Sequence, residues 1–224
     1  MSTTTRTAKR NPERTREAIL EVAGKLLAKD GPEGLSVSQV AQAAGVNRGT
    51  AYHHFQTRDQ LLEATKAWVS EKLCKAVFGE DALTKEQATD LDPYTVAENL
   101  TTFAMENPEY GRIWLFEVLS SDKPGNDPFW NLYKSGIDKF VKSDWAQPGI
   151  DSEVHAVMML VSVFLWPVWA RAHSSSAAGR KKMAKRFNDE VMRMNLQGNF
   201  NQEKFPDKPQ KAKSQSTRSR KSAK

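Results

Sequence analysis

Asn47, Arg48, Thr50, Tyr52 and His53 are the side chains best placed by type and spacing to do chemistry with a partner. They carry hydrogen-bond donors of several lengths on one short stretch, and a core helix has little reason to collect them. Such a set suits phosphate oxygens and base edges in a DNA groove. The Arg48 fork fits a bidentate contact to guanine and equally a phosphate, and both uses stay open at this stage.

Other chemistries find little support. No Ser-His-Asp or Cys-His arrangement, phosphate loop or dinucleotide fingerprint occurs, so neither an enzyme nor a cofactor is expected. His155 and His173 stand without Asp, Glu or Cys at ligand spacing, so no metal is expected. The single cysteine, Cys74, excludes an internal disulfide framework and a four-ligand zinc finger. The first twenty residues hold no apolar signal-peptide core, which points to an intracellular, cytoplasmic location. Of the net charge of +6, the stretch Lys204–Lys224 alone carries +7, from eight Lys or Arg against Asp207. The remaining residues carry −1, so the basic pI near 9.3 reports the ends of the chain and not its body.

The elements that must position these side chains are helices. Asn11-Pro12 pairs an N-cap with a proline at the first helical position, and apolar residues then recur at helical spacing to about Lys29. Ser36 to Gln39 is a capping box, and the short helix it opens ends at Gly45. Asn47 caps a second short helix that reaches about Phe55. Thr57 to Gln60 is a second capping box, opening a long helix to about Phe78. Three more helices should start at Asp92-Pro93, Asn107-Pro108 and Asp127-Pro128. Ser152–His173 and Ala177–Leu196 complete an all-α chain of about nine helices, with no internal repeat. Residues 154–170 are apolar enough to approach a membrane span, but they are short and interrupted by His155, Ser162 and Pro167. Burial between its own core and a partner subunit explains them better, so no membrane is expected. Pro167 should kink that helix.

Residues 36–55 form two short helices around a tight turn, with Gly45 free to take the positive φ of the turn. The run Gly45-Val46-Asn47-Arg48-Gly49-Thr50-Ala51-Tyr52-His53-His54-Phe55, followed by Arg58 and Leu61-Leu62, resembles the DNA-binding motif of the TetR family of bacterial repressors. The resemblance covers residues 12–72. It implies a basic arm over 1–11, a helix-turn-helix domain over 12–72, an effector-binding and dimerisation domain over 73–200, and leaves a basic tail over 201–224. It places Ser36 against a phosphate and Ser38 toward the groove. Asn47, Arg48 and Thr50 open the recognition helix, with Gly49 there for close backbone approach. Tyr52 and His53 would meet DNA backbone or thymine methyls, and His54 is divided between packing and DNA. Phe55 would be core. Arg58 would grip a phosphate together with the amides of its helix start.

The later helices are rich in aromatic residues, which could fill a core or line a cavity for an apolar or aromatic effector. The resemblance implies such a pocket, and Phe103, Trp114, Phe116, Trp130, Tyr133 and Trp166 are the expected wall. Glu117, in an apolar run, could meet a cationic effector if buried, with Arg112 or solvent as its alternative partner. The last two helices are expected to form a homodimer interface, to which Val191, Met192, Met194 and Leu196 would contribute, so that two recognition helices read a palindromic double-stranded operator. The function this describes is a ligand-responsive transcriptional regulator, in the first place a repressor. The alternative is an architectural DNA binder that needs no ligand and relies on its basic ends.

Overall fold

The computed structural model describes residues 11–83 and 91–199. The expected arm before Asn11 and the basic tail after Asn201 lie outside these residues. The order is α1 (Pro12–Asp30), α2 (Val37–Ala43), α3 (Arg48–His54), α4 (Arg58–Phe78), α5 (Pro93–Glu106), α6 (Pro108–Ser120), α7 (Pro128–Val141), α8 (Ser152–His173) and α9 (Ala177–Gly198), with no strand among the described residues.

Nearly every helix starts at the residue whose side chain can accept its orphan amides. Asn11, Ser36, Asn47, Thr57, Asp92 and Asp127 each accept a hydrogen bond from a first-turn N–H. Asn107 departs from this pattern. It precedes Pro108 as expected, but its amide turns back and donates to the Phe103 carbonyl at 3.1 Å, closing α5 instead of capping α6. At Thr57 only half of the capping box forms: Gln60 N–H reaches Thr57 Oγ1, while the Gln60 side chain accepts from Gln56 N–H, one residue before the cap.

The fold is arranged around α4. Leu61, Thr65, Trp68, Val69, Ser70, Leu73, Cys74, Val77 and Phe78 are all buried along it. They point to several sides of the helix, and α1, α5, α6 and α7 pack against it. Its buried hydroxyls are satisfied: Thr65 donates to the Leu61 carbonyl at 2.7 Å, and Ser70 Oγ accepts from Phe129 N–H at 3.1 Å. The second bond satisfies an orphan amide in the first turn of α7 that has no water to turn to. Cys74 is fully buried in the same helix, and burial pushes its thiol up to about 12.

The helix-turn-helix rests on the first half of this core through Ile19, Leu20, Ala23, Val40, Ala41 and Ala51. Gly45 takes φ 62° in the turn, a conformation costly to any residue with a Cβ. A sequence-drawn boundary between 72 and 73 falls inside the unbroken α4, and one continuous apolar core runs from Ile19 to Phe164.

α6 and α8 approach closely at Gly111, where an added Cβ would lie 2.7 Å from Phe164 Cδ1. Phe164 is itself held by Trp114 and Phe129 and has little room to give. Gly111→Ala should therefore lower stability by about 1–3 kcal/mol, the usual cost of overpacking, in a thermal or urea melt. An unchanged midpoint would show that the two helices can separate without penalty.

Candidate nucleic-acid interface and cavity

The second helix of the motif presents a polar, outward face. Asn47, Arg48, Gly49, Thr50, Tyr52 and His53 are exposed, and Ala51 alone is buried within α3. Ala51 and Phe55 anchor the helix, with the Arg16 guanidinium of α1 5.4 Å over the Phe55 ring. Asn47 spends its carbonyl oxygen on Gly49 N–H at 2.8 Å, so only its amide N–H groups remain for a partner. Tyr52 is 45% exposed, and its hydroxyl lies 3.3 Å from Ser38 Oγ of α2. That contact makes one continuous hydroxyl patch of the two motif helices. Ser36 is exposed but accepts Gln39 N–H as the cap of α2. His54 is half-buried against Phe55; burial first, then His53 and Arg16, hold its imidazole below the ordinary value. It is the packing side of the expected pair of roles that the geometry favours.

Arg58 is used differently from the expectation. Its guanidinium donates to the Pro32 carbonyl at 2.6 Å and lies 3.5 Å from Glu33 and 3.6 Å from Asp59. It ties the start of α4 to the turn between α1 and α2, where the Pro32 carbonyl accepts both this bond and the Leu35 N–H at 3.1 Å. The residue positions the motif here instead of reaching outward.

The aromatic residues of the second half separate into core and cavity. A cavity of about 110 Å³ lies among the C-terminal end of α4, α5, α7, α8 and α9. Of the seven expected wall residues only Tyr133 lines it. Trp114 is buried edge-on to Phe129, and its ring N–H donates to Asp127 Oδ1 at 2.9 Å. Trp166 stacks on Phe187 and donates to the Met183 carbonyl at 3.0 Å. Phe103 packs on Tyr110 and the core, Trp130 is half-buried against the core, and Phe116 is exposed. Glu117 does not pair with Arg112: it takes Lys66 of α4 at 2.7 Å. Burial works against the Lys66 charge, but hydrogen bonds to Glu117 and Glu63 outweigh it and hold its pKa above the ordinary value. Arg112 instead donates to the Ala28 carbonyl of α1 at 3.3 Å.

The polar residues that do line the cavity went unassigned from the sequence: Thr101, His155, Ser162, Asn188 and Asn195. Burial holds the His155 imidazole below its ordinary value and favours its neutral form. Helical spacing carries the signal that was available: His155, Met159 and Ser162 share one face of α8.

α8 itself is long and apolar enough to cross a membrane by length and composition, with a mean hydropathy of 1.5. It runs unbroken through Pro167, which is buried. One face, with Ala156, Leu160, Val163, Phe164 and Ala170, packs into the core. Another leaves Val154, Val157, Met158, Val161, Leu165, Val168 and Trp169 exposed in a continuous apolar stripe. α9 has no buried residue, and its outer side carries Lys181, Lys182, Lys185, Arg186, Asp189, Glu190 and Arg193. Of the four α9 residues expected at a partner surface, Val191 lines the cavity and only Met194 is exposed; Met192 and Leu196 are intermediate. The charged side of α9 leaves the apolar surface to α8.

An all-helical chain with this motif at one end and a helical cavity at the other matches known proteins. Residues 19–65 match the family of bacterial regulatory proteins described as the tetR family. The HTH-type transcriptional regulator AcrR of Shigella flexneri is 30% identical over 116 residues, which are 51% of this chain and 52% of that protein. The chain thus aligns with about half the length of this curated relative, and with less of the others. A TetR-family regulator of Haemophilus influenzae shares the fold with a TM-score of 0.62 and 17% identity, over 86% of this chain and 100% of that one. AibR, solved with isovaleryl coenzyme A and operator DNA, shares it with a TM-score of 0.56 and 16% identity, over 79% and 97%. Residues 19–65 are thus similar to the DNA-binding part of TetR-family transcriptional regulators, and the fold of the chain is that of solved members of the family.

Two substitutions separate contact from scaffold. Tyr52→Phe should weaken DNA binding by about 1 kcal/mol, one hydrogen bond, with little change in melting temperature, since the ring stays and the residue is exposed. Arg58→Met should cost about 1.5–3 kcal/mol of stability through the lost charged bond to Pro32. A variant that melts like the parent but binds DNA weakly would return Arg58 to the phosphate.

Proposed function

We propose that the protein is a transcriptional regulator, acting in the cytoplasm as a repressor, that binds a palindromic double-stranded operator as a homodimer and lets go when a small effector occupies the cavity. The observation that carries this reading is the outward face of α3, where Arg48, Thr50, Tyr52 and His53 are exposed together on a helix anchored only by its small and aromatic inner residues. Such a helix suits a major groove, with Ser38 and Ser36 beside it for the backbone.

The dimer reading is supported by the α8 stripe. Exposed apolar residues in one continuous line mark an interaction surface, and a two-fold axis would bury the stripe of one copy on that of the other. α4 supports the release step. Its first turn follows the recognition helix directly in the chain and is tied to the turn before the motif by Arg58, and Phe78 at its far end lines the cavity. A ligand there that displaces Phe78 would tilt the helix that sets the recognition helix, and coupling of this kind amounts to about 1–3 kcal/mol, a 5- to 150-fold loss of affinity. The division into a motif unit over 12–72 and an effector unit over 73–200 is functional in this reading, since α4 spans both.

Selection of duplexes from a random library, followed by salt titration on the selected and on random DNA, tests the reading. A sequence-specific dimer should hold a preference of about 10³ or more. Equal affinity for both would leave an architectural binder that acts through charge alone. Val161→Glu or Leu165→Glu, in the middle of the stripe, should raise the dimer dissociation constant by at least about 30-fold and weaken operator binding with it. Light scattering that still finds a full dimer would move the interface elsewhere.

A further inference from the structure

The walls of the cavity restrict what it can hold. Among the described residues that line it there is no Lys, Arg, Asp or Glu. The body is apolar: Phe78, Val96, Leu100, Ile137, Met159 and Val163 surround it. A charged molecule taken there would lose its hydration and gain no counter-charge.

The polar groups at the wall are short of acceptors. Tyr133 is 7% exposed, lines the cavity, and its hydroxyl has no hydrogen-bond partner among the described residues. Burial alone pushes its phenol up, which keeps it protonated as a donor. The His155 ring likewise has no partner among them; its neutral form, favoured by burial, offers one N–H to donate and one ring nitrogen to accept. On α9 the side-chain oxygens of Asn188 and Asn195 are already taken, by the Thr101 hydroxyl at 2.7 Å and by the Asn199 amide at 2.7 Å. Their amide N–H groups remain. These donors open into the cavity, so an occupant that offers an acceptor fits it best.

Taking the cavity as the effector site of the proposed regulator, we infer that its ligand is an uncharged carbonyl compound, a ketone, ester or lactone with an apolar body, whose oxygen accepts from Tyr133 and His155. Tyr133 lies on α7, His155 on α8, and the two asparagines on α9, so an oxygen bound among them would join three helices. The apolar body then lies toward Phe78 and α5. An alkane of the same shape fills the space but leaves the donors unmatched, and an acid or amine brings a charge that nothing at the wall offsets.

Four probes of one shape test this on the full-length dimer by titration calorimetry: 1-indanone, indane, indane-1-carboxylate and 1-aminoindane. The ketone should bind most tightly and the two ions at least about 10-fold more weakly. Tyr133→Phe should weaken the ketone about 5-fold and leave indane unchanged, because only a hydrogen bond is removed. His155→Phe supplies a second variant of similar bulk if the first fails to fold. Either ion binding as tightly as the ketone overturns the inference, as does a ketone that binds both folded variants like the parent, or no binding by the ketone at millimolar concentration. Release of a selected duplex is measured in parallel. A ketone that binds as described but releases no DNA upholds the ligand class and removes the release step. An ion that binds in place of the ketone and releases DNA removes the ligand class and keeps the regulator.

Discussion

A helix with buried residues on several sides dictates much of this structure. α4 carries nine buried residues in six turns, including Thr65 and Ser70, and each polar one among them must find a partner inside the protein. That requirement places α7, whose first-turn amide at Phe129 leans on Ser70. The Phe129 ring then packs on Phe78 of α4 and joins Trp114 and Phe164 in one aromatic cluster. The motif is built on the N-terminal end of the same helix, fixed by Arg58 on the Pro32 carbonyl, while Lys66 on Glu117 ties that helix to α6. A rigid connection between the two ends follows from burial, without any special hinge.

The motif was legible in the sequence because its signals are local. A cap, a glycine at positive φ and a polar face repeat within twenty residues, and each acts on its immediate neighbours. The helix starts at Pro12, Pro93 and Pro128 were legible for the same reason. Asn107 was read as a cap because an Asx-Pro pair does not say in which direction the amide will turn. The tie of Arg58 to Pro32 was not legible because its acceptor lies 26 residues earlier in the chain, on a backbone carbonyl that carries no sequence signature.

The cavity was the least legible feature. An aromatic residue announces a large apolar volume, and it serves equally to fill space or to bound it. Trp114, Trp130 and Phe103 fill; the spaces are left where smaller residues of α5, α7 and α9 face one another. Which helices meet is a property of the tertiary fold, so Asn188 and Asn195 could be assigned to the wall only once α9 was seen against α5. The apolar run of α8 was read as buried between its own core and a partner, and its division into core, cavity and exposed stripes needed the neighbours of each residue.

Cys74 gives this arrangement a built-in reporter. It is the only cysteine of the chain, it lies in α4, and it is both fully buried and held as a thiol. A thiol in that state does not react with alkylating reagents or oxidants while the helix stays packed. Its rate of modification therefore counts how often the connecting helix comes out of its surroundings, and thiol chemistry has nothing to act on until that happens.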